Sequence, residues 1–105
     1  MNTFKNYFLV STSTAANVVV GPAGTQTTII GMTIANINTD PIVANVTITS
    51  SGSTYSIVYQ AEVPVGSSMV PIGNLQKIVL EPGDYIQVQT TSNAHVIASG
   101  IEITT

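Results

Sequence analysis

The 105-residue chain holds one histidine, His95, which on paper could join Asp84 and either Ser67 or Ser99 in a nucleophile, base and acid set for acyl transfer. Nothing around these serines resembles a nucleophile elbow, and a chain this rich in serine offers the combination by chance. Glu81 and Asp84 are close enough in sequence to face one space, as a paired acid and base must. The run Glu81-Pro82-Gly83-Asp84 explains the aspartate more simply, as a tight turn. Pro82 presets one backbone angle, Gly83 tolerates a positive φ, and Asp84 can bond the backbone beyond the bend. A calcium site on the two carboxylates would need further oxygen ligands, and there is no Asp-rich loop to supply them. His95 has neither a cysteine nor a second histidine with which to share a metal. Asn45-Val46-Thr47 matches the glycosylation pattern but falls in mid-strand. The expectation is a non-enzymatic protein with no catalytic residue, cofactor or metal.

Phe4, Tyr7, Phe8, Tyr55, Tyr59 and Tyr85 could instead form a platform for stacking sugars or bases. Alternation puts Tyr55 and Tyr59 on one strand face with Ile57 and Ala61, which suits core or subunit-interface packing better.

The elements that must carry these residues read as strands. Thr27 to Asn36 is almost wholly apolar, as in a central strand, with Ile30, Met32 and Ile34 opposing Ile29, Gly31, Thr33 and Ala35. Asn36 to Pro41 breaks it. From Ile42 to Thr49 the alternation is clean, with Ile42, Ala44, Val46 and Ile48 on one face, and Ser50 to Ser53 turns the chain into a hairpin arm from Thr54. Prolines at 64 and 71 argue for an edge or a crossing loop. Gly73-Asn74 signals a turn into Leu75 to Leu80. Ile86, Val88 and Thr90 then alternate with Tyr85, Gln87 and Gln89, and His95 to Ile103 reads as a mostly buried last strand. No stretch keeps a helical apolar period. The fold class is therefore all-β, a single antiparallel β-sandwich or jelly roll, and local patterning leaves that choice and the immunoglobulin-like alternative open. Residues 1–26 read as short strands on an extended N-terminal arm, and 27–105 as the sandwich domain. The strands of the arm either complete the sandwich or pair with a neighbouring subunit.

Composition bounds the partners. The chain is 44% hydrophobic and only 7% charged, against a usual charged share of about 25%, so Ser, Thr, Asn and Gln must supply most of the wet positions. A net charge of −3 with no arginine removes the basis for gripping a phosphate backbone. No run is long and apolar enough for a membrane helix, and the start lacks the apolar core of a secretion signal, so the expectation is a soluble protein made in the cytoplasm. Strand edges are usually guarded by lysine, proline or bulges; the two cations here are Lys5 and Lys77. Edges or faces are expected to be covered by other subunits.

Pro64-Val65-Gly66-Ser67-Ser68-Met69-Val70-Pro71-Ile72-Gly73, followed by Gln76-Lys77-Ile78-Val79-Leu80-Glu81-Pro82-Gly83-Asp84 and an apolar last strand, resembles small virion proteins of tailed bacteriophages, notably marine and cyanobacterial ones. Thr28 to Asn36 is similar to the first core strand of the same family. The resemblance covers most of residues 28–103 and leaves 1–26 outside it. It implies a β-sandwich or jelly-roll structural subunit of the particle that forms a symmetric homo-oligomer, with a trimer favoured, and binds other virion proteins. The expected role is a capsid decoration or cement protein on the major capsid protein. Neck, tail, baseplate or fibre components and a carbohydrate-binding module are the alternatives. Expected contact residues are Phe4, Tyr7, Phe8 and Leu9 on the arm and Pro64, Val65 and Met69 in the loop, with Pro82, Gly83 and Asp84 structural.

Overall fold

The computed structural model describes residues 2–72 and 77–104. Among these the chain forms nine strands and no helix: β1 (Asn2–Ser11), β2 (Ala16–Val20), β3 (Thr25–Asn36), β4 (Ile42–Ser50), β5 (Ser53–Val63), β6 (Ser68–Ile72), β7 (Ile78–Leu80), β8 (Tyr85–Thr90) and β9 (Ala94–Thr104). They build two antiparallel sheets. One runs β1-β9-β3 and then β6 and β7; the other runs β2-β8-β4-β5. β6 pairs with residues 32–35 of β3 and β7 with residues 27–29, so the two are halves of a single edge position. The expected turn at Gly73-Asn74 and the strand start at Leu75 lie outside the described residues.

The pairings β4 with β5, β3 with β6 and β7, β2 with β8, and β1 with β9 are nested, as if one long hairpin had been rolled into two sheets. That is the jelly-roll arrangement, and it excludes the immunoglobulin-like order. Of the two readings left open for residues 1–26, the structure has residues 2–20 completing the sandwich. β1 pairs with β9 over its whole length, and β2 pairs with β8. Where the chain crosses between sheets it is tied to both, because the buried Ser11 hydroxyl lies 2.7 Å from the Thr90 hydroxyl.

The core lies between the sheets, built on Ile29, Met32, Ile34, Ile72, Val96 and Ala98 from one and Val19, Ile42, Val46, Ile86 and Val88 from the other. β4 and β8 bury the residues their alternation predicts. β3 departs from it. A bulge between Ile29 and Gly31 adds a residue, so Ile29, Met32 and Ile34 share the dry face and Ile30 turns outward. β9 is half wet rather than mostly buried: Ala94, Val96, Ala98 and Gly100 face inward while His95 and Ile97 are exposed.

The turn at 81–84 forms as its residues dictate. Gly83 has φ 90°, the Asp84 carboxylate accepts from the Glu81 amide at 2.9 Å, and the Asp84 amide donates to the Glu81 carbonyl at 3.0 Å. Asp84 is buried while Pro82 and Gly83 are exposed. Gly21 is packed against this turn, and a Cβ there would sit 2.7 Å from the Glu81 carbonyl oxygen.

Candidate docking surface

The residues that could have made a catalytic set do not converge. Asp84 and His95 lie beyond opposite ends of β8, a strand of six residues, so about 17 Å or more separates them at the usual rise. Ser99 is on the outer face of β9, where its hydroxyl donates to Asn6 Oδ1 at 3.0 Å. Ser67 sits in the loop before β6, its carbonyl accepting from the Asn36 amide at 3.0 Å. Among the described residues no three His, Asp or Glu side chains gather as metal ligands.

The tyrosines do not form one platform either. β5 carries two bulges opposite β4, one on each side of the Val46–Val58 pair, so the alternation that would align Tyr55 with Tyr59 is broken. Both are exposed on that edge strand. Tyr85 pairs with Thr49 on the outer face, whereas Tyr55 pairs with Ile48, the next residue and hence the opposite face.

What the register does assemble is an apolar outer face on the β1 sheet. Directly paired residues share a face, so Phe4, Ile101, Thr28 and Val79 form one row across four strands. Phe8, Ile97 and Thr33 form another, and Val10, His95, Ala35 and Ser68 a third, while the hydrogen-bonded Asn6 and Ser99, with Gly31, make a polar row between the first two. The rows span roughly 14 Å across the strands and roughly 20 Å along them at standard spacings. Phe4 is 77% exposed, Phe8 70%, Val10 54% and Val79 51%, and the paired residues of this face include no lysine and no carboxylate. An open depression of about 290 Å³ lies at the β1–β9 seam, lined by Phe8, Val10, His95 and Ile97 together with Leu9 and Val96.

The opposite outer face, on the β4 sheet, is chemically different. Its register rows hold Asn45 with Gln89, Thr47 with Gln87, and Thr49 with Tyr85. Two shallow depressions there, of about 240 and 260 Å³, share Asn45 and Gln89. The molecule therefore has one broad side rich in exposed apolar residues and one made mainly of amides and hydroxyls, with Val43 and the carboxylate of Glu62 at its end.

The expected contact residues divide accordingly. Phe4 and Phe8 lie on the apolar face, whereas Tyr7 and Leu9 turn inward and pack on the core. Pro64 and Val65 are exposed in the loop between β5 and β6, and Met69 packs on the core from β6, at the far edge of the β1 sheet. β9 and β3 thus lie between the two groups. Composition could not reveal the contributions of Ile97, Ile101 and Val79, because which side of β9 faces out depends on its partners.

Tyr7 has a structural task. Its ring passes over Gly100, whose missing side chain leaves the room, and its hydroxyl donates to Glu102 Oε2 at 2.8 Å. Burial, then the hydrogen bond to Glu102 and the charge of that carboxylate, raise the phenol well above its ordinary value. The folded chain therefore holds this proton where the unfolded chain releases it, so the contribution is complete below about pH 10 and is lost as pH rises beyond it. Tyr7→Phe is expected to flatten the fall of stability on the alkaline side, as read by urea unfolding between neutral and strongly alkaline pH.

No protein-family profile matches the chain, and no curated protein matches it. Among solved structures, the fold is similar to a subunit from the work describing Bacillus endospore appendages as a family of disulfide-linked pili. The TM-score is 0.59 at 17% sequence identity, over 99% of this chain and 87% of that one. At that identity the likeness establishes the two-sheet sandwich and nothing finer.

Proposed function

We propose that this chain is a non-enzymatic structural subunit of a bacteriophage particle, a capsid decoration protein that lays the apolar outer face of its β1 sheet on the major capsid protein. It would be made in the host cytoplasm and reside in the virion. The observation that carries this reading is the contrast between the two broad sides. A face with Phe4, Phe8, Val10, Ile97 and Val79 exposed and no charged partner in its rows gains by being covered, while the amide and hydroxyl face is suited to water. The residues resembling tailed-phage virion proteins point the same way, and jelly rolls are an architecture of viral capsid domains, a fold-level analogy. The pilus subunit of similar fold belongs to an assembly of many copies. Its disulfide linkage does not carry over, because this chain has no cysteine. Attachment by repeated modest contacts is strengthened by multivalency on a symmetric surface.

A neck, tail, baseplate or fibre subunit would use the same face and differs in copy number. Quantitative mass spectrometry of purified particles separates the two: a simple ratio to the major capsid protein supports decoration, a few copies per particle supports the tail. The face itself is tested by Phe4→Ser with Phe8→Ser. The double variant is expected to keep the fold, since both rings are in solvent, and to lose about 100-fold or more in affinity for particles lacking the protein, as for aromatic anchors at an interface. Unchanged binding would remove this face from the contact.

A further inference from the structure

The four sheet edges are unequal. β2 is short and bulged against β8, β5 carries two bulges, and the edge made by β6 and β7 is split between two short strands with a bulge at β6. β1 alone is long and regular: residues 2–11 pair with β9 without a shift, and among the described residues no strand pairs with its other side. In an antiparallel strand every second residue then points its amide and carbonyl at the open edge. No proline or bulge interrupts it, and Lys5, on the inward side of the strand, is its one guarding charge.

We infer that the occupant of this edge is β1 of a second copy, paired antiparallel about a two-fold axis at Asn6, so that two five-stranded sheets become one continuous sheet. The choice of partner follows from matching: the other edges are bulged or split, so another β1 is the edge of equal length and regularity. A two-fold axis requires antiparallel strands, which an edge-to-edge β1 pair satisfies.

The register follows from the faces. Opposed residues must share a side, so the axis passes through a residue and not between two. At Asn6 it sets Phe4 of each copy opposite Phe8 of the other, giving two aromatic cross-strand pairs. It also sets Lys5 opposite the other copy's Tyr7, whose hydroxyl is already held by Glu102, so the lysine meets a carboxylate. An axis at Tyr7 would place Phe4 against Val10 and Phe8 against Asn6, and would set Lys5 against Leu9. Charge and aromatic pairing both favour Asn6. The pairing stands on the edge alone, whatever the apolar face is laid upon, and it makes that face of two copies continuous. It replaces the expected trimer by a dimer.

The absence of cysteine allows a clean test on the full-length chain. Opposed strand residues lie within disulfide reach. Asn6→Cys is expected to give a disulfide-linked dimer rapidly under mild oxidation. Phe4→Cys and Phe8→Cys are each expected to stay unlinked alone and to link when mixed. Light scattering on the unmodified chain should report a dimer mass. A monomer or trimer, or rapid linking of Tyr7→Cys in place of Asn6→Cys, would overturn the pairing. The outcome is separable from docking: a monomer that still binds particles sinks the dimer alone, and a dimer absent from particles sinks the docking reading alone.

Discussion

Gly100→Ala is expected to destabilise the chain by about 3 kcal/mol and to lower Tm by roughly 15 °C, a large share of what a domain of this size has to lose. The reason is local. Gly100 lies on the inward side of β9 between β1 and β3, and a Cβ there would come 2.8 Å from the Thr28 carbonyl oxygen and 3.2 Å from Ile29 Cδ1. The first obstacle is backbone in the central strand, which cannot swing aside as a side-chain tip can. The Tyr7 ring, 3.5 Å away, would be in ordinary contact with the added methyl, so the clash with the Thr28 carbonyl decides the outcome. Gly31→Ala is the matched control on the neighbouring strand. There the nearest heavy atom to an added Cβ is the Ile72 carbonyl oxygen at 3.9 Å, ordinary contact. That substitution is expected to be neutral or to stabilise by up to about 1 kcal/mol through the unfolded chain. Thermal melts of the two variants beside the parent check the contrast; equal melting temperatures would show that the close approach at Gly100 relaxes freely.

The sequence signalled β4, β8 and the 81–84 turn well because each is a local matter. Strict alternation in Ile42 to Ile48 and Ile86 to Thr90 needs no knowledge of partners, and Pro82, Gly83 and Asp84 are each suited to their positions by their own backbone chemistry. The misreadings in β3 and β5 share one cause. A bulge inserts a residue and inverts the alternation beyond it, and the partner strand that makes it necessary is distant in sequence. Ile30 and Tyr55 were misplaced for that reason.

The candidate surface was legible only in part. Phe4 and Phe8 stood out as apolar residues on a segment with no obvious core role, but their neighbours in space come from β9, β3 and β7. Only the register brings Ile101 and Val79 to their row. Strand order was out of reach for a related reason. Nested pairing joins residues as far apart as Asn2 and Ile103, and nothing in either segment names the other. Tyr7 and Leu9 were grouped with Phe4 and Phe8 as contact residues. Alternation along β1 already separated them, and the core claims both.

Ile34→Ala and Ile97→Ala test which face of the β1 sheet is structural and which is free to dock. The two residues carry the same side chain on adjacent strands of the sheet, yet Ile34 is 0% exposed and Ile97 45%. Truncating Ile34 removes methylenes from between the sheets and leaves a cavity, so a loss of about 2–5 kcal/mol is expected. Truncating Ile97, 45% exposed on the outer face, removes atoms only partly covered by neighbours and opens no enclosed void, so a loss of about 1 kcal/mol or less is expected. Hydropathy along β9 would have ranked them otherwise, since Ile97 and Ile101 are its larger apolar residues while Ala94, Ala98 and Gly100 are small. Ala94, Val96, Ala98 and Gly100 are inside and Ile97 outside because the pairing register, not side-chain size, fixes which side of β9 faces the core. An isoleucine that adds little to folding and stays half exposed beside Phe8 is what the docking face proposed above requires. Urea unfolding of the two variants gives the answer directly. A comparable loss in both would mean that the outer face is held by packing within the chain and is not available to a partner.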